Sequence, residues 1–311
     1  MESDFLLDVY DENRTGGLRF KEERNGQFLN HDRRLAAPPW TTLRVLQNAS
    51  LRIEQNDDID NPEYIKWLNM LIAPGSSLGG ARPKASIIDE AGNLWIAKFP
   101  SVNDTTDVGA WEMAVYNLAG ECGLNVVDAK LEKFSNKVHT FLIKRFDRRK
   151  SKRIHFASAM TMLGYNEGTD FHAGASYLEL ADFLIVNGAK VNKDLEELWK
   201  RIVFSICVTN TDDHLRNHGF ILTERGWVLS PVYDINPNES GIGLTLNISE
   251  NDNSLDFDLA LDVTGYFRLD KPRGKRIIDE IRKKASKWKT FANKYKISKS
   301  EQQIMGKAFK V

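Results

Sequence analysis

Cysteine is scarce in this sequence, with Cys122 and Cys207 as the two examples among 311 residues. Two cysteines are too few for a disulfide framework or a cysteine-based zinc site, and both lie in stretches typical of buried helix, so we expect two reduced core thiols. No apolar run approaches the roughly 20 residues that span a bilayer, which argues against membrane insertion. The N-terminal residues MESDFLLDVYDENR are acidic where a signal peptide is basic, so we expect a cytoplasmic protein.

Net charge is also absent, because 43 Lys and Arg residues balance 43 Asp and Glu residues. The charges are nevertheless segregated, since residues 271–311 hold 14 basic and 3 acidic residues. The stretch KPRGKRIIDEIRKKASKWK could contact nucleic acid or an RNA-bound substrate. Its residues Ile277, Ile278, Ile281 and Trp288 also have the spacing of the apolar stripe of a surface helix, whose charges simply face solvent. The sequence leaves both interpretations open, and the solvated helix is the commoner case.

The chain is longer than most single compact domains, so we expect two lobes that share a cleft. In the first lobe, residues 1–146, the apolar runs ASIID and LWIAKF flank a turn at 90–93 and predict a β-hairpin. Asp107 is placed to cap a helix that ends at Gly123, and VVDAKLEKF and VHTFLIKRF predict two further strands. The pattern indicates a small, mostly antiparallel sheet carrying one helix.

The second lobe, residues 147–311, has mainly helical patterns. Apolar residues recur with a helical period from residue 195 to residue 207, and this helix is predicted to end at the polar segment TNTDDHLRNHG. The following residues, GFILTERGWVLSPVYDI, predict a hairpin that turns at Arg225 and Gly226. The sequence therefore predicts an α+β fold, in which polar residues suited to chemistry gather where the long helix ends.

Two residues of this polar segment, Asp212 and Asn217, are five positions apart. In the catalytic loop of protein kinases the same interval separates an aspartate that receives the acceptor hydroxyl from an asparagine that binds metal. Asp234 follows one hairpin later, in the sequence YDI rather than the DFG of eukaryotic kinases. A strand pair could return it beside Asn217 as a second Mg²⁺ ligand. These three residues are candidates for phosphoryl transfer.

Phosphoryl transfer also needs a cation on the phosphates and a loop whose backbone can approach the nucleotide. Lys98 lies in the predicted strand LWIAKFP, and Glu112 on the next helix could form an ion pair with it. Each has a common alternative explanation when taken alone, because strand lysines and helix-surface glutamates usually face solvent. The loop GSSLGGARPK lacks both standard phosphate-loop patterns and by itself would be interpreted as a turn.

The segments SSLGGARPKASIIDEAGNLWIAKFPS, KRFDR, RIHFASAMTMLG, NTDDHLRNHGFIL and SPVYDINP together resemble the HipA-like serine/threonine kinase toxins. These motifs are long and collinear, which makes chance agreement much less plausible than for one short pattern. The resemblance implies a bilobal, protein-kinase-like α+β fold with a small β-rich N-lobe and a larger helical C-lobe. It also implies that ATP and Mg²⁺ are used, with Asp212 as catalytic base, Asn217 and Asp234 as Mg²⁺ ligands and Lys98 on an ATP phosphate.

Further nucleotide contacts follow from the same resemblance. Residues 143–146 match the hinge whose backbone meets adenine, with Phe146 packing near the base. The other positions expected in the nucleotide site are Ser77, Gly79, Gly80, Lys84, Glu112, Ile143, Arg145 and His214. In this family a serine of the glycine-rich loop is autophosphorylated, which ejects the loop and switches off ATP binding. The alignment of GGARPK makes Ser77 that residue and Ser76 a neighbouring candidate, although both also suit an ordinary turn.

Partners are also implied by the resemblance. DENRTGGLRF resembles the end of the family's small N-terminal subdomain, so the residues that usually precede it are expected to be missing, as in short HipT-like kinases of three-gene systems. In such systems a small HipS-like protein stands in for the subdomain and a DNA-binding HipB-like antitoxin completes the complex. The expected protein substrate is a translation factor, most plausibly an aminoacyl-tRNA synthetase, and the basic C-terminal stretch would favour a tRNA-bound form.

Three other functions stay open at the level of sequence. Asp212, Asp213, His214 and His218 suggest a metal hydrolase if the two histidines share a helix face, although no third ligand cluster of the H-E-x-x-H kind accompanies them. A kinase-fold binding module that acts through antitoxin–DNA complexes without turnover is the second. Phosphoryl transfer to a small molecule is the third, because fold does not determine the acceptor. Within the kinase interpretation, Asp213 and His214 are expected to support the loop rather than act as bases.

Overall fold

The computed structural model describes residues 9–55, 71, 82–134, 138–150 and 152–311. The chain divides into two compact units, each formed by two stretches of sequence. The first unit contains the described residues of Met1–Ala110 and Val127–His155, and the second contains Trp111–Val126 and Phe156–Val311. These units interleave along the chain, and a functional lobe boundary between residues 146 and 147 stays a prediction.

A four-stranded antiparallel sheet forms the centre of the first unit. Its strands follow the order β1-β2-β4-β3 and comprise β1 (Lys84–Ile88), β2 (Leu94–Lys98), β3 (Ala129–Glu132) and β4 (Thr140–Lys144). The short strands β5 (Arg148–Arg149) and β6 (Lys152–Arg153) pair with each other. The mostly antiparallel sheet predicted from the sequence is confirmed.

Helix α1 (Leu43–Glu54) supplies the other side of the first unit's core. Leu43 and Leu46 are three positions apart, so they lie on one face of the helix, and both are buried. They pack with the buried sheet residues Ala85, Ile87, Trp95, Ala97, Phe99 and Leu142. Trp40 meets Trp95 edge to face, with ring centroids 5.4 Å apart. This apolar layer fixes the strands that carry Lys84 and Lys98.

Buried ion pairs hold residues 9–17 within the first unit. We call the set the arginine clasp, which consists of Asp11, Arg14, Arg145, Asp147, Arg148 and Arg153. Asp147 accepts hydrogen bonds from Arg145 Nη2 at 2.7 Å, Arg148 Nη1 at 2.7 Å and the Gly16 N–H at 2.8 Å. Arg153 Nη1 lies 3.3 Å from Asp11 Oδ1. Two carboxylates are therefore shared among several guanidinium groups.

The charge state of Asp147 follows from these contacts. Burial by itself raises the pKa of the carboxyl group, but the positive charges and hydrogen bonds of Arg145 and Arg148 outweigh it, so the pKa lies below its ordinary value. Asp147 is therefore ionised at neutral pH. An ionised buried carboxylate that joins segments more than 100 residues apart is expected to contribute strongly to the stability of this unit.

The second unit is mainly helical. Helix α2 (Val108–Glu121) begins in the last residues assigned to the first unit, where Asp107 Oδ1 accepts the Ala110 N–H at 3.2 Å, as expected for the cap. The helices that follow are α3 (Ala159–Leu163), α4 (Tyr177–Asn187), α5 (Val191–Val208), α6 (Phe257–Asp262), α7 (Lys271–Ala285), α8 (Trp288–Lys294) and α9 (Lys299–Met305). Short 3-10 helices occur at Asp11–Asn13, Arg33–Leu35, Trp40–Thr42, Phe171–Ala173, Thr264–Phe267 and Gly306–Ala308.

A three-stranded antiparallel sheet accompanies these helices. Its strands, in spatial order, are β7 (Phe156–Ser158), β8 (Gly219–Thr223) and β9 (Gly226–Leu229). Thr223 pairs with Gly226, so the predicted hairpin is confirmed with its turn at Glu224 and Arg225, one residue earlier than expected. The hairpin leads from the polar segment 210–217 to Asp234.

Helix α5 forms the core of the second unit. The seven apolar positions predicted from its period are fully buried, namely Leu195, Leu198, Trp199, Ile202, Val203, Ile206 and Cys207. Trp199 Nε1 also donates to the Ala260 carbonyl at 2.9 Å. Cys207 and Cys122 are free, and burial raises the pKa of each thiol to about 12, so both stay protonated core residues as expected.

The basic C-terminal segment forms α7, α8 and α9. Ile277, Ile278, Ile281 and Trp288 are buried, which confirms the predicted apolar stripe, although the helix breaks before Trp288. Most of its lysines and arginines face solvent. Contact of these cations with nucleic acid stays a prediction. Within the described part of the chain, no helix is both long enough and apolar enough to cross a membrane.

Asp147 and Asp128 allow a matched test of the arginine clasp. Asp147→Asn removes a buried carboxylate that serves two arginines, so we expect the free energy of unfolding to fall by about 3–5 kcal/mol. Asp128→Asn removes the exposed pair with Lys144 and should cost less than about 1 kcal/mol. Denaturant unfolding of both variants measures the difference, and equal effects would contradict a structural role for the clasp.

The lowered pKa of Asp147 also predicts that the stability of the protein depends on pH. Because the pKa of Asp147 is lowered in the folded state, its contribution is complete above the unfolded value of about 3.9 and is lost as the pH falls through the lower folded value. The wild type should therefore lose more stability than Asp147→Asn on acidification below about pH 4.

Candidate active site

The polar segment 210–217 begins at a strained turn. Thr209 ends α5 with φ 51°, a left-handed conformation that β-branched residues rarely adopt. Its Oγ1 donates to the Ala308 carbonyl at 2.7 Å, and the Asn210 N–H donates to the Ser205 carbonyl at 2.9 Å. Such a conformation costs about 1–3 kcal/mol and persists where surrounding contacts enforce it. The turn directs the following residues out of the helix and into a loop.

Asp212 and Asn217 meet across this loop, as their spacing predicts. Asn217 Nδ2 donates to the Asp212 carbonyl at 2.8 Å, and the Asn217 N–H donates to the His214 carbonyl at 2.8 Å. Asn217 is buried, whereas 85% of the Asp212 side chain is exposed. The loop therefore fixes its backbone through Asn217 and leaves the Asp212 carboxylate accessible.

Asp213 has the opposite environment to its neighbour. It is buried, and its Oδ2 accepts hydrogen bonds from Tyr177 Oη at 2.6 Å and Ser205 Oγ at 3.2 Å. Its Oδ1 lies 2.9 Å from Nε2 of the buried His218. Burial raises the pKa of Asp213, but His218 and the hydrogen bonds outweigh it, so the pKa lies below its ordinary value. An ionised Asp213 thus ties both ends of the loop to α4 and α5.

Asp234 is linked to the loop by hydrogen bonds through Asn236, and its negative charge affects Asp212. It has φ 58°, and its Oδ1 accepts from Asn236 Nδ2 at 3.3 Å, while the Asn236 N–H donates to Asn210 Oδ1 at 3.1 Å. The pKa of Asp212 is raised, first by loss of hydration and then by the negative charges of Asp234 and Asp213, although His214 and Arg216 oppose the rise. The hairpin therefore brings Asp234 close enough to influence Asp212.

These residues fit a Mg²⁺ site. Asn217 and Asp234 offer amide and carboxylate oxygens, the ligand type that Mg²⁺ prefers, and the repulsion that raises the pKa of Asp212 is what a cation would relieve. Among the described residues, no group of three His, Cys, Asp or Glu side chains is arranged to hold a metal. A Mg²⁺ ion would thus depend on the mixed amide and carboxylate set and on oxygens from its substrate.

The histidines do not support the metal-hydrolase alternative. His214 and His218 do not share a helix face, because residues 210–218 form a loop. His214 Nε2 lies 3.9 Å from Asp212 Oδ1, and its buried Nδ1 has no hydrogen bond to a described residue. The His218 ring lies against Asp213 and meets the Tyr177 ring edge to face, with centroids 5.6 Å apart. His218 is a core partner of the loop.

The first unit carries the predicted phosphate-binding lysine. Lys98 is 8% exposed, and its Nζ lies 5.8 Å from the centroid of the Phe141 ring. Lys84 stands directly opposite Lys98 on β1, so the two side chains share one face of the sheet. Both lysines therefore belong to one end of the β1–β2 hairpin.

The segment expected to contact adenine follows β4. Ile143 is buried in that strand, and Phe146 comes two residues after its end. The Arg145 N–H donates to the Leu94 carbonyl at 2.9 Å, and its guanidinium group is held by Asp147, the Asn13 carbonyl and Ser86 Oγ. Any contact of Arg145 with a nucleotide would therefore involve its backbone rather than its side chain.

The contacts of the remaining predicted site residues stay predictions. Ser76, Ser77, Gly79 and Gly80 lie outside the described residues. Glu112 is buried in α2, and its ion pair with Lys98 stays a prediction.

Sequence reasoning missed the partners of Asp213. Ser205 and Tyr177 lie 8 and 36 positions before it on two different helices, and His218 was weighed only as a metal ligand. The sequence gives a weak indication that Ser205 has a polar partner, because it is a polar residue amid the apolar residues of α5. It gives no such indication for Tyr177, since its contact depends on how α4 packs on α5.

Asp213 and Asp212 can be compared through the same substitution at adjacent positions. Asp213→Asn weakens charged hydrogen bonds in a buried cluster, so we expect unfolding free energy to fall by about 1.5–3 kcal/mol. Asp212→Asn changes an exposed carboxylate that is repelled by its neighbours, and should alter stability by less than about 0.5 kcal/mol. Chemical denaturation tests the contrast; a larger loss in Asp212→Asn would refute it.

Two curated relatives of this chain are named as putative kinases. A "Putative kinase" of Haemophilus influenzae is 27% identical over 180 residues, which are 51% of this chain and 52% of that protein. "Putative kinase Y4dM" of Sinorhizobium fredii is 28% identical over 156 residues, which are 46% of this chain and 37% of that protein. The chain thus spans about half or less of the length of these curated relatives.

One of two similar solved structures shows the same fold class. A chain of the Shewanella oneidensis MR-1 toxin–antitoxin complex of HipA, HipB and operator DNA matches with a TM-score of 0.64 at 18% identity, over 90% of this chain and 72% of that chain. The Helicobacter pylori kinase CtkA matches with a TM-score of 0.46 at 16% identity, over 72% of this chain and 92% of that chain. The former match confirms the predicted HipA-like α+β fold class. The family model described as HipA-like C-terminal domain matches residues 76–289, and the chain therefore belongs to the HipA-like C-terminal domain family.

Proposed function

We propose that this protein is an ATP-dependent serine/threonine protein kinase that acts as the toxin of a bacterial toxin–antitoxin system. The observation that carries the proposal is the loop in which Asn217 holds the backbone of an accessible Asp212 while Asp234 acts on the same carboxylate. Membership of the HipA-like family and the names of the curated relatives support kinase chemistry. Serine/threonine specificity rests on the resemblance of the motifs.

Asp212 is the proposed catalytic base. Its exposed carboxylate can accept a hydrogen bond from the hydroxyl of an incoming serine and orient the oxygen toward the γ-phosphorus. It would take up the proton as the new oxygen–phosphorus bond forms and the bond from the γ-phosphorus to the oxygen of the leaving ADP breaks. Its raised pKa makes it a better proton acceptor than an isolated aspartate. Asp213 would hold the loop during this step, and His214 would buttress it.

The remaining roles concern ATP. Asn217 and Asp234 would hold Mg²⁺, which neutralises charge on the phosphates when it is bound. Lys98 would contact a phosphate oxygen, with Lys84 on the same face of its sheet. Ile143, the backbone of Arg145 and Phe146 would contact adenine. Gly79 and Gly80 would bring backbone amides to the phosphates.

Regulation and partners are proposed from the family. Autophosphorylation of Ser77, or of Ser76, would place a dianion where the ATP phosphates bind and so oppose nucleotide binding. The Shewanella HipA structure contains HipB and operator DNA, which supports a DNA-binding HipB-like antitoxin as partner. A small HipS-like protein, a cytoplasmic location and an aminoacyl-tRNA synthetase as substrate complete the proposal.

Radiolabelled Mg·ATP tests the proposed chemistry. With bacterial lysate as acceptor, the wild type should label a lysate protein and its own Ser77, and mass spectrometry identifies the sites. Asp212→Asn should lower labelling by about 100-fold or more, because the base is lost. His214→Ala should retain part of the activity. Asp252→Asn, at a half-buried loop position outside the proposed site, serves as a matched control with full activity.

The outcomes separate two functions. Label in the wild type that disappears in Asp212→Asn supports the kinase. Measured ATP binding without label in any variant would favour the alternative, a kinase-fold regulatory module that acts through antitoxin–DNA complexes without turnover. Equal losses in Asp212→Asn and His214→Ala would contradict the assignment of Asp212 as the base.

Asp234→Asn tests the metal site. Loss of a carboxylate ligand should weaken Mg²⁺ binding in the presence of ADP by about 10–100-fold, while ADP binding without metal stays close to wild type. Calorimetric titrations with and without Mg²⁺ measure both values. Asp256→Asn, at an aspartate that caps α6, is the control and should leave Mg²⁺ affinity unchanged.

A further inference from the structure

The first unit contains a cavity of about 360 Å³ that involves no residue of the proposed phosphotransfer loop, although Lys144 and Arg145 in its wall belong to the segment 143–146 proposed to contact adenine. It opens beside the arginine clasp and is bounded by the turn between β1 and β2 and by the segments 10–13, 36–37 and 144–150. Small-molecule sites usually have volumes of about 300–1,000 Å³, so this cavity suits a small ligand. Its position makes it a candidate for a second ligand site.

The cavity wall has two chemically distinct parts. Ala36, Ala37, Ile88 and Leu94 give an apolar surface, and Tyr10 adds an aromatic ring. The charged residues of the wall are the four cations Lys144, Arg145, Arg148 and Lys150 and the single anion Glu12. Sites with an apolar body and a few convergent charges are typical of amphipathic small ligands. Here the charges select for an anion.

The arginine clasp adds buried positive charge next to this wall. Arg145 and Arg148 share the carboxylate of Asp147, and Arg153 and Arg19 share that of Asp11, while Arg14 donates to the backbone carbonyl groups of Val9 and Leu29. Glu12 lies 3.6 Å from Arg19 and is the third carboxylate near these five guanidinium groups. Buried charges are normally paired, because transfer of an unpaired ion from water is costly. The clasp therefore has an excess of positive charge that an anion in the cavity would neutralise.

The lowered pKa of Arg148 is consistent with this excess of positive charge. Burial lowers the pKa of its guanidinium group to about 10, and Asp147 raises it only in part because Arg145 and Arg153 repel the added charge. Arg145 and Arg148 already donate to Asp147 and to backbone carbonyl groups. Arg145 and Arg148 would thus attract an anion mainly by long-range electrostatic attraction rather than by direct hydrogen bonds.

Two lysines are available for direct contact. Lys150 has no ion pair or hydrogen bond to a described residue, and it is exposed. Lys144 pairs with Asp128 at 3.3 Å, but Asp128 is 72% exposed, and such surface pairs are worth little. Both ammonium groups can therefore turn toward a ligand at small cost.

We propose that this cavity is a binding site for a small phosphomonoester, with the phosphate between Lys144 and Lys150 and the organic part on the apolar wall. A phosphate dianion matches the several cations better than a single carboxylate does. The site does not depend on the proposed kinase activity, and its occupancy would stabilise the first unit by neutralising the clasp.

Phenyl phosphate is a suitable probe, with phenol as the uncharged control. Calorimetric titration of the full chain should detect phenyl phosphate with millimolar or tighter affinity, accompanied by a higher melting temperature, and no binding of phenol. The double variant Lys144→Gln/Lys150→Gln should bind at least about tenfold more weakly. Lys133→Gln/Lys152→Gln, with the same charge change at exposed positions of the same unit, should bind as the wild type does.

The measurement is repeated with a saturating non-hydrolysable ATP analogue and Mg²⁺. Unchanged phenyl phosphate binding supports a separate site, whereas displacement by the analogue would assign the phosphate to the nucleotide site and overturn the proposal. Equal affinities of the two double variants, or no binding to the wild type, would also refute it. If inorganic phosphate bound as tightly as phenyl phosphate, the proposed contact between the organic part of the ligand and the apolar wall would be refuted.

Discussion

The candidate active site depends on one buried carboxylate. Asp213 collects Tyr177, Ser205 and His218, and the contacts with Tyr177 and Ser205 cross from the loop to the helices α4 and α5. Because a buried charge is tolerated only with its partners in place, the loop cannot shift without exposing an unsatisfied group. The position of Asp212 is therefore fixed by its neighbour rather than by contacts of its own side chain.

Adjacent aspartates divide two tasks that one residue could not perform. A carboxylate that is buried and already accepts hydrogen bonds from neighbouring side chains has a lowered pKa and no room for an acceptor hydroxyl, as Asp213 shows. A carboxylate that is exposed and near other negative charges has a raised pKa and room for a substrate, as Asp212 shows. Opposite directions of pKa shift at successive positions are typical of functional sites. In this loop they distinguish the buried Asp213 from the exposed Asp212, which is the proposed catalytic base.

The first unit uses a related arrangement with a different balance of charge. Asp147 also joins distant parts of the chain, because it accepts the Gly16 N–H as well as hydrogen bonds from Arg145 and Arg148, but there the guanidinium groups outnumber the carboxylates. In the Asp213 cluster a single carboxylate faces one histidine and neutral hydroxyl groups, so little charge is left over. The excess of positive charge in the arginine clasp distinguishes the cavity beside it from an ordinary packing defect.

The sequence by itself determined the main elements and the close approach of Asp212 and Asn217. The seven apolar positions of α5, the β1–β2 hairpin and the pairing of Asp212 with Asn217 all follow from local periodicity and spacing, which act over one or two turns of chain. Tertiary structure alone decided that Tyr177 would donate to Asp213, that the Arg145 side chain would donate to the Asn13 carbonyl and that Lys144 would line a cavity. Such contacts join residues far apart in sequence, and their energies depend on burial, which no local pattern of residues specifies.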